Sequence, residues 1–195
     1  MSSASRAAAL ILSFASVAYA QTPAPNGTRD LPLFRVQTWG YIVADFSTRV
    51  ASYLELRGKL EQGLPPLAVT AEPADIHRAQ SALARRIRSA REGAKEGDIF
   101  TPTISAEFRK VLLPEMSEGT RAAIMDDNPG EFSHRIDGTY RMGKAFSTMP
   151  SNILAVLPAL PDDLQYRFLG RHLVLLDTRA NVILDRITCA IECSK

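Results

Sequence analysis

Hydrophobic side chains recur every three or four residues through two long stretches of the chain. The first stretch places them at Val36, Trp39, Val43, Phe46, Val50, Tyr53 and Leu54. The second stretch places them at Ile76, Ala79, Leu83, Ile87, Ala90 and Ala94. Because this spacing collects hydrophobic side chains on one face of an α-helix, the pattern predicts two long amphipathic helices.

The ends of both helices carry residues that start or stop a helix. Gly58 and Gly63 should close the first helix, and Pro73 belongs in the first turn of the second, with Thr70 or Glu72 as its cap. Two such helices joined by a link of roughly ten residues pack most simply as an antiparallel hairpin. The residues expected at their contact are Leu83, Ile87, Val43, Phe46 and Val50.

Three shorter helices are predicted further along the chain. Thr101 offers a capping hydroxyl before a proline, and Pro114 should stop the helix that begins there. Ser117 should cap a helix over 118–125, and a short apolar helix should cover 152–157.

The C-terminal third has the pattern of β-strands, which predicts a C-terminal β-hairpin. Strand-like runs cover 164–169, 173–176 and 182–187. The side chains expected on one covered face are Tyr166, Phe168, Leu173, Leu175, Ile183 and Ile187. Gly170 should permit a bulge or bend that a side chain would crowd. Asp177 and Asn181 should bond backbone amides of the turn between the last two runs, so Asp177 is expected to matter less for stability than Gly170.

A second hairpin is predicted around Asp137 and Gly138, because this dipeptide is typical of a type I′ turn. Phe132, His134 and Ile136 alternate with polar residues before it. The two hairpins are placed to form a small antiparallel sheet. The predicted fold class is therefore α+β, a mainly helical bundle led by a long antiparallel helix pair and finished by a C-terminal β-hairpin.

The first twenty residues have the features of a cleavable secretory signal peptide. Arg6 precedes an apolar run over 7–17, and Ala18 and Ala20 supply the small side chains that signal peptidase requires before Gln21. The run is shorter than the ~20 residues that span a bilayer. We therefore expect cleavage between Ala20 and Gln21, and export to the periplasm or the medium.

The domain organisation follows from these elements. The expected segments are a signal peptide over 1–20, a flexible proline-rich leader over 21–32 and one globular domain over 33–195. Within this domain, residues 33–130 should be helical, and residues 131–195 should form hairpins and a short helix. The whole sequence is 46% hydrophobic, and removing residues 1–20 from its 195 leaves 175 residues. A chain of that length and composition can form one domain with a hydrophobic core. No later segment approaches transmembrane length.

Charge and cysteine content narrow the possible partners. Removing Arg6 from the chain's 23 basic residues leaves 22 against 21 acidic residues, so the mature chain has a net charge of +1. A balance this near to neutral does not steer the protein towards nucleic acid. Cys189 and Cys193 are the two cysteines, and a disulfide between them is favoured over a metal clip or two free thiols. Their spacing is not the CxxC redox motif.

One group of side chains could carry chemistry: Asp126, Asp127, His134 and Asp137. Carboxylates near a histidine could hold a hard cation or act as an acid and base. However, Ser133 and His134 are adjacent and would point to opposite faces of a strand, which argues against a nucleophile arrangement. A polar hairpin face with a solvated histidine is the preferred interpretation.

The second long helix is markedly basic. Its cations are Arg78, Arg85, Arg86, Arg88, Arg91 and Lys95, against Glu92 and Glu96. A solvated helix surface is the preferred interpretation of this stripe. The alternative is a surface that contacts acidic lipid headgroups, polysaccharide or the acidic face of a partner.

The C-terminal third also carries a resemblance to known proteins. The residues that carry it are 149–150, 157–161, 166–171, 173–175, Asp177, Ala180, Asn181, Ile183 and Asp185. Together they resemble exported proteins of environmental bacteria that have no assigned function. The terminal hairpin alone is similar to that of small periplasmic proteins, including some tied to nickel and cobalt homeostasis. This resemblance implies no ligand residues here.

These observations favour a protein of the envelope, periplasm or medium that binds a protein or an envelope polymer, without catalytic activity and without a cofactor. The first alternative is a small secreted hydrolase or cation-dependent enzyme around Asp126, Asp127, His134 and Asp137. The second alternative is a periplasmic metal-homeostasis protein, which only the hairpin resemblance implies.

Overall fold

The structure is a computed structural model that describes residues 32–64, 72–127, 135–140 and 148–191. Its helices are α1 (Pro32–Glu61), α2 (Pro73–Ala90), α3 (Pro102–Leu112), α4 (Glu118–Asp126) and α5 (Ser151–Val156), with a 3₁₀ turn at Leu113–Glu115. Its strands are β1 (Leu164–Leu169), β2 (His172–Asp177) and β3 (Val182–Ile187). The predicted α+β class is confirmed. The signal peptide, its cleavage site at Ala20 and Gln21, and most of the leader lie outside the described residues.

Local capping signals are confirmed at two helices. The Thr101 hydroxyl accepts a hydrogen bond from the Ile104 amide at the start of α3, and the Ser117 hydroxyl accepts one from the Thr120 amide at the start of α4. At α2 the capping residue is Glu72, which makes no side-chain hydrogen bond to the helix. Caps depend on neighbours in sequence, which is why sequence reasoning finds them.

The hydrophobic face predicted for α1 is only partly buried. Phe46 and Val50 belong to one core with Leu83 and Ile87 of α2, whereas Val43, which was expected at the same contact, is only partly buried and is not part of that core. Val36 was also placed on this face, but 69% of its surface is exposed. From residue 35 onwards, the first buried side chain of α1 is that of Ile42, which is 7% exposed. The periodic pattern therefore begins before the part of the helix that is buried against the other described residues. The long antiparallel helix pair and the bundle are not confirmed.

Three phenylalanine rings lie at the centre of this core. Phe46 of α1 lies 5.6 Å from Phe100 and 5.3 Å from Phe108 of α3, measured between ring centroids. Such aromatic contacts contribute beyond the burial of their area. They join α1 to α3 and to the segment that precedes α3.

The C-terminal strands form a three-stranded antiparallel sheet in the order β1-β2-β3, where the sequence suggested one hairpin. Leu169 pairs with His172, so Gly170 and Arg171 form a two-residue turn. Gly170 has a φ of +55°, and a Cβ there would meet nothing within 4 Å. The expected crowding is therefore wrong. The turn favours glycine because its backbone lies in the left-handed region.

The sheet is buried on both faces. The side chains that face the helices include Tyr166, Phe168, Leu173, Leu175, Val182, Leu184 and Ile187. A second cluster contains Tyr140, Leu169, Val174, Leu176 and Ile183. Ile183 was predicted on the first face. The register between β2 and β3 shifts between Leu175 and Leu176, and an irregularity of one residue exchanges the faces of the residues that follow it.

The predicted second hairpin differs from the structure around Asp137. The Gly138 amide donates to the Arg135 carbonyl at 2.9 Å, so Ile136 and Asp137 are the central residues of the turn. Only Asp137 of these two has a positive φ, whereas a type I′ turn needs both. Thr139 then forms a single antiparallel bridge to Val182. The segment 135–140 therefore joins the edge of β3, and His134 and the residues before it lie outside the described part of the chain.

None of the described helices is both long enough and apolar enough to cross a membrane.

Candidate functional site: the arginine face of α2

The structure separates the acidic residues that the sequence grouped. Asp126 ends α4 and Asp127 follows it, where its carboxylate accepts a hydrogen bond from the Thr148 amide at 2.9 Å. Asp137 lies against α2 instead. Within the described residues, no three side chains of His, Cys, Asp or Glu lie close enough together to hold a metal ion. His134 falls outside these residues, so its expected role in a cation-binding or acid–base site stays a prediction.

Asp137 is held by Arg88 of α2 and by Arg91, the residue at the end of that helix. The Arg91 guanidinium donates to the Asp137 carboxylate at 3.0 Å and to the Leu184 carbonyl at 2.8 Å. Arg88 donates to the Asp137 carbonyl at 2.7 Å and to the Thr139 hydroxyl at 2.8 Å. Burial raises the pKa of the Asp137 carboxyl, although both guanidiniums act to lower it. Two cations thus face one carboxylate.

The interpretation of the basic stripe as a solvated surface is wrong for half of its members. Arg88 and Arg91 are fixed by the bonds described above. Arg86 donates to the carbonyls of Leu60 and Gln62, at 2.8 Å each, where α1 ends. Cations satisfy the unpaired carbonyls at the end of a helix. Arg78, near the start of α2, pairs with Asp75. Arg85 is the one arginine of α2 that makes no hydrogen bond or ion pair with any described residue.

A groove of about 760 Å³ opens beside the end of α2. Its charged lining residues are Arg88, Arg91, Arg135, Arg186, Glu92, Glu96 and Asp137. Arg186 forms an ion pair with Glu96 at 2.7 Å, and the Thr188 hydroxyl donates to the same carboxylate at 2.6 Å. The exposed Arg135 side chain has no partner within the described chain.

A smaller pocket of about 250 Å³ adjoins this groove, and Arg88 lines both. Its other lining residues are His77, Gln80, Ser81, Ala84, Arg85, Thr139, Ala180 and Asn181. None of these nine described residues is acidic. The Oδ1 atom of Asn181 is buried and lacks a hydrogen-bond partner in the described structure. The groove and the pocket together are called the arginine face below.

Sequence reasoning could not assemble this face. It singled out the α2 arginines as a stripe, but it gave no role to Arg135 or Arg186, and it assigned Asn181 to a turn. These residues are far apart in the chain and match no short motif. Only the docking of 135–140 onto β3 brings them beside α2.

Two fully buried aspartates have structural roles that the sequence did not show. Asp177 accepts hydrogen bonds from the Tyr53 hydroxyl at 2.6 Å, from Arg57 at 3.2 Å and from the Ala180 amide at 2.8 Å. Burial raises the pKa of Tyr53, and the neighbouring carboxylate raises it further. The bond to the turn amide was predicted, whereas the contacts with α1 were not. The available signal was an acidic residue inside an otherwise apolar strand.

Asp185 binds the chain segment between α2 and α3. Its carboxylate accepts four backbone hydrogen bonds, from the amides of Gly97, Ile99, Phe100 and Arg186, at 2.7–3.0 Å. Burial raises the pKa of this carboxyl, and the four amides act in the opposite direction. Because the carboxylate oxygens are already engaged by these amides, Asp185 has a structural role.

Cys189 is disulfide-bonded. The chain's other cysteine, Cys193, lies outside the described residues, so the pairing of the two stays a prediction.

No protein-family model, no curated protein and no solved structure matches this chain. The resemblance to exported bacterial proteins therefore remains an expectation from the sequence.

Proposed function

We propose that this chain is an exported, non-catalytic binding protein whose arginine face binds an anionic ligand. The observation that carries the proposal is a local excess of cations. Five arginines line the groove and the pocket against three carboxylates, and Arg85 and Arg135 have no partner in the described chain. Unneutralised guanidiniums bind carboxylates and phosphates through paired N–H donors.

The chemistry of this face suits binding better than catalysis. Arginine stays protonated at all physiological pH values, so it cannot exchange protons as an acid or base. Arg88 and Arg91 are held in fixed orientations by backbone carbonyls. Donors that are oriented before the ligand arrives lose less entropy on binding. An envelope polymer or a partner with an acidic surface would meet such donors.

Export is the part of the proposal that the N-terminal pattern supports. Replacing Ala18 and Ala20 with bulky residues should leave an uncleaved precursor, because the peptidase pocket accepts only small side chains there. Mass spectrometry of the protein recovered from the periplasm or the medium should show Gln21 as its first residue. An intact Met1 on the recovered protein would refute cleavage.

Anion binding is tested with the mature chain on immobilised polygalacturonate, with dextran as the neutral polymer. The wild type should bind polygalacturonate at low salt and be released as salt screens the charges. Arg135→Glu should weaken binding by roughly fivefold to tenfold, since it reverses one unpaired charge. The matched control is Lys110→Glu, an equal change of charge on α3, which should leave binding unchanged.

Two results would contradict this part of the proposal. One is a wild type that does not bind the anionic polymer at low salt. The other is an equal loss of binding in both variants, which would show that only net charge matters.

We also retain the antiparallel packing of α1 and α2 as a proposal. Its support is that Arg86 of α2 contacts the end of α1, while Arg91, the residue after α2, lies 5.6 Å from the ring centroid of Tyr53, earlier in α1. Spin labels at Tyr41 should therefore lie closer to a label at Ser89 than to one at Arg78. The opposite order of distances would exclude the antiparallel pair.

A further inference from the structure

We propose that the Asp137 carboxylate competes with anions for Arg91 in the groove of the arginine face, so that its charge sets how tightly the face binds. This inference concerns the regulation of that site and rests on the proposed function. A carboxylate is one of the groups that the arginines are expected to bind, and the chain already places one of its own on Arg91 at 3.0 Å.

Arg88 and Arg91 are each anchored to the protein through two of their three nitrogens. Arg88 donates from Nε and Nη2 to the Asp137 carbonyl and the Thr139 hydroxyl. Arg91 donates from the same two atoms to the Asp137 carboxylate and the Leu184 carbonyl. The Nη1 group of each guanidinium has no acceptor among the described residues, and both side chains line the groove. Each arginine therefore retains N–H donors for an anion while its orientation is fixed.

The Asp137 carboxylate lies where it opposes an arriving anion. It lines the same groove, and within the described structure it accepts one hydrogen bond, from Arg91. The buried Asp185 carboxylate, in contrast, accepts four hydrogen bonds from backbone amides. Only 11% of the Arg91 side chain and 12% of the Asp137 side chain are exposed, so water screens their charges incompletely. An ionised Asp137 therefore repels an anion from the cation that the anion needs.

The turn that carries Asp137 is held by its backbone, independently of the carboxylate. The Asp137 amide donates to the Ile183 carbonyl at 2.8 Å, and the Ile183 amide donates to the Gly138 carbonyl at 2.9 Å. Asparagine tolerates the φ of +57° at this position, and its amide oxygen can still accept the hydrogen bond from Arg91. Asp137→Asn therefore removes the charge and keeps the geometry of the groove.

The pH should act on this competition through Asp137. The charged groups that face it in the groove are Arg88, Arg91, Arg135, Arg186, Glu92 and Glu96, and Asp98 acts on it from the segment before α3. The arginines keep their charge at every pH used. Although burial acts to raise it, the hydrogen bonds from Thr188 and Arg186 lower the pKa of Glu96. Burial raises the pKa of Asp137, so this carboxyl loses its charge before that of Glu96 as the pH falls.

The test is an NMR titration of the isotope-labelled mature chain with inorganic sulfate, which has the same charge at neutral and mildly acid pH. Sodium chloride keeps the ionic strength constant, because salt screens these charges. Sulfate should shift the amide signals of 88–94 and 135–138. At neutral pH, Asp137→Asn should bind sulfate roughly threefold to tenfold more tightly than the wild type.

Two other carboxylates provide matched controls. Glu92→Gln removes a charge from the same groove. Because Glu92 makes no hydrogen bond or ion pair with any described residue, its gain in affinity should be smaller than that of Asp137→Asn. Asp162→Asn removes an exposed charge outside the groove and should leave the affinity unchanged. Unchanged amide spectra away from the groove would show that the variants fold.

A pH series tests the same competition in the wild type, without any substitution. As the pH falls through the folded pKa of Asp137, the wild-type affinity for sulfate should rise towards that of Asp137→Asn. The affinity of Asp137→Asn should change less, since the group that titrates is absent.

The outcomes distinguish this inference from the proposed function. An affinity of Asp137→Asn equal to or below that of the wild type would overturn the competition, as would the same pH dependence in both proteins. If polygalacturonate binding still depended on Arg135, this inference alone would fail. Tighter sulfate binding by Asp137→Asn without any binding of polygalacturonate would support the competition and refute the anionic polymer. Failure of both sulfate and polygalacturonate to bind would refute both proposals.

Discussion

Replacing Asp185 with asparagine changes one atom of a fully buried side chain, and we expect it to destabilise the fold strongly. One carboxylate oxygen accepts from the amides of Gly97 and Arg186, and the other accepts from those of Ile99 and Phe100. An asparagine amide has only one acceptor oxygen. Whichever way it turns, its NH₂ group faces two backbone N–H donors.

The size of the effect follows from these two donors. Each buried N–H that loses its acceptor costs about 1–3 kcal/mol, so two cost up to about 2–6 kcal/mol, and less where the NH₂ group faces the partly buried N–H groups of Gly97 and Arg186. Removing the charge from a buried position returns part of this, because burial disfavours the ionised carboxylate. We therefore expect Asp185→Asn to lower the free energy of unfolding by about 2–5 kcal/mol. Small domains have about 5–15 kcal/mol in total, so the loss should be large.

Urea unfolding of the mature chain measures this loss. The midpoint should fall while the slope with denaturant stays constant, because the surface exposed on unfolding is unchanged. Asp162→Asn is the matched control, since Asp162 is exposed, and its effect should stay within about 0.5 kcal/mol. A loss below about 1 kcal/mol in Asp185→Asn at constant slope would refute the claim that the four amides depend on this carboxylate.

Three further changes test other parts of the structure. Gly170→Val should lower the free energy of unfolding by about 1–2 kcal/mol and lower the melting temperature. Gly170→Asn should cost less stability, because asparagine tolerates the φ of +55° better. Equal losses of stability for the two variants in calorimetry would contradict this account. Asp177→Ala should lower the free energy of unfolding by about 3–5 kcal/mol, because it leaves Tyr53 and Arg57 without their buried partner. This loss should exceed that of Gly170→Val, the reverse of what the sequence suggested. A smaller loss than that of Gly170→Val in urea unfolding would contradict this account. Burial raises the pKa of Asp137 above its ordinary value of 3.8. The folded state therefore gains stability from the protonated carboxyl at a pH below 3.8, and it loses this gain as the pH rises through the folded pKa. The difference in unfolding free energy between the wild type and Asp137→Asn should therefore fall from acid to neutral pH, and a difference that rises instead would show that Arg91 outweighs burial.

Expectations that depend on near neighbours were the most accurate. The hydroxyls of Thr101 and Ser117 cap their helices as predicted, because each bonds an amide three residues away. Gly170 was correctly expected between two strands, but the reason given for it was not correct. Gly170 was expected to avoid crowding, and its conformation proved to be the cause. Sequence shows that a glycine is present, whereas the backbone angle is set by the pairing of the strands on either side.

The sequence by itself determined the helical periods, the caps and the class of the fold, since these follow from preferences repeated over a few residues. Tertiary structure alone decided the rest. The irregularity between β2 and β3 places Ile183 in the second cluster, and no local preference specifies that shift. The arginine face likewise unites residues from α2, from 135–140 and from β3. Such a site depends on which surfaces pack together, because burial and charge pairing act between side chains that are close in space, however far apart they lie in the chain.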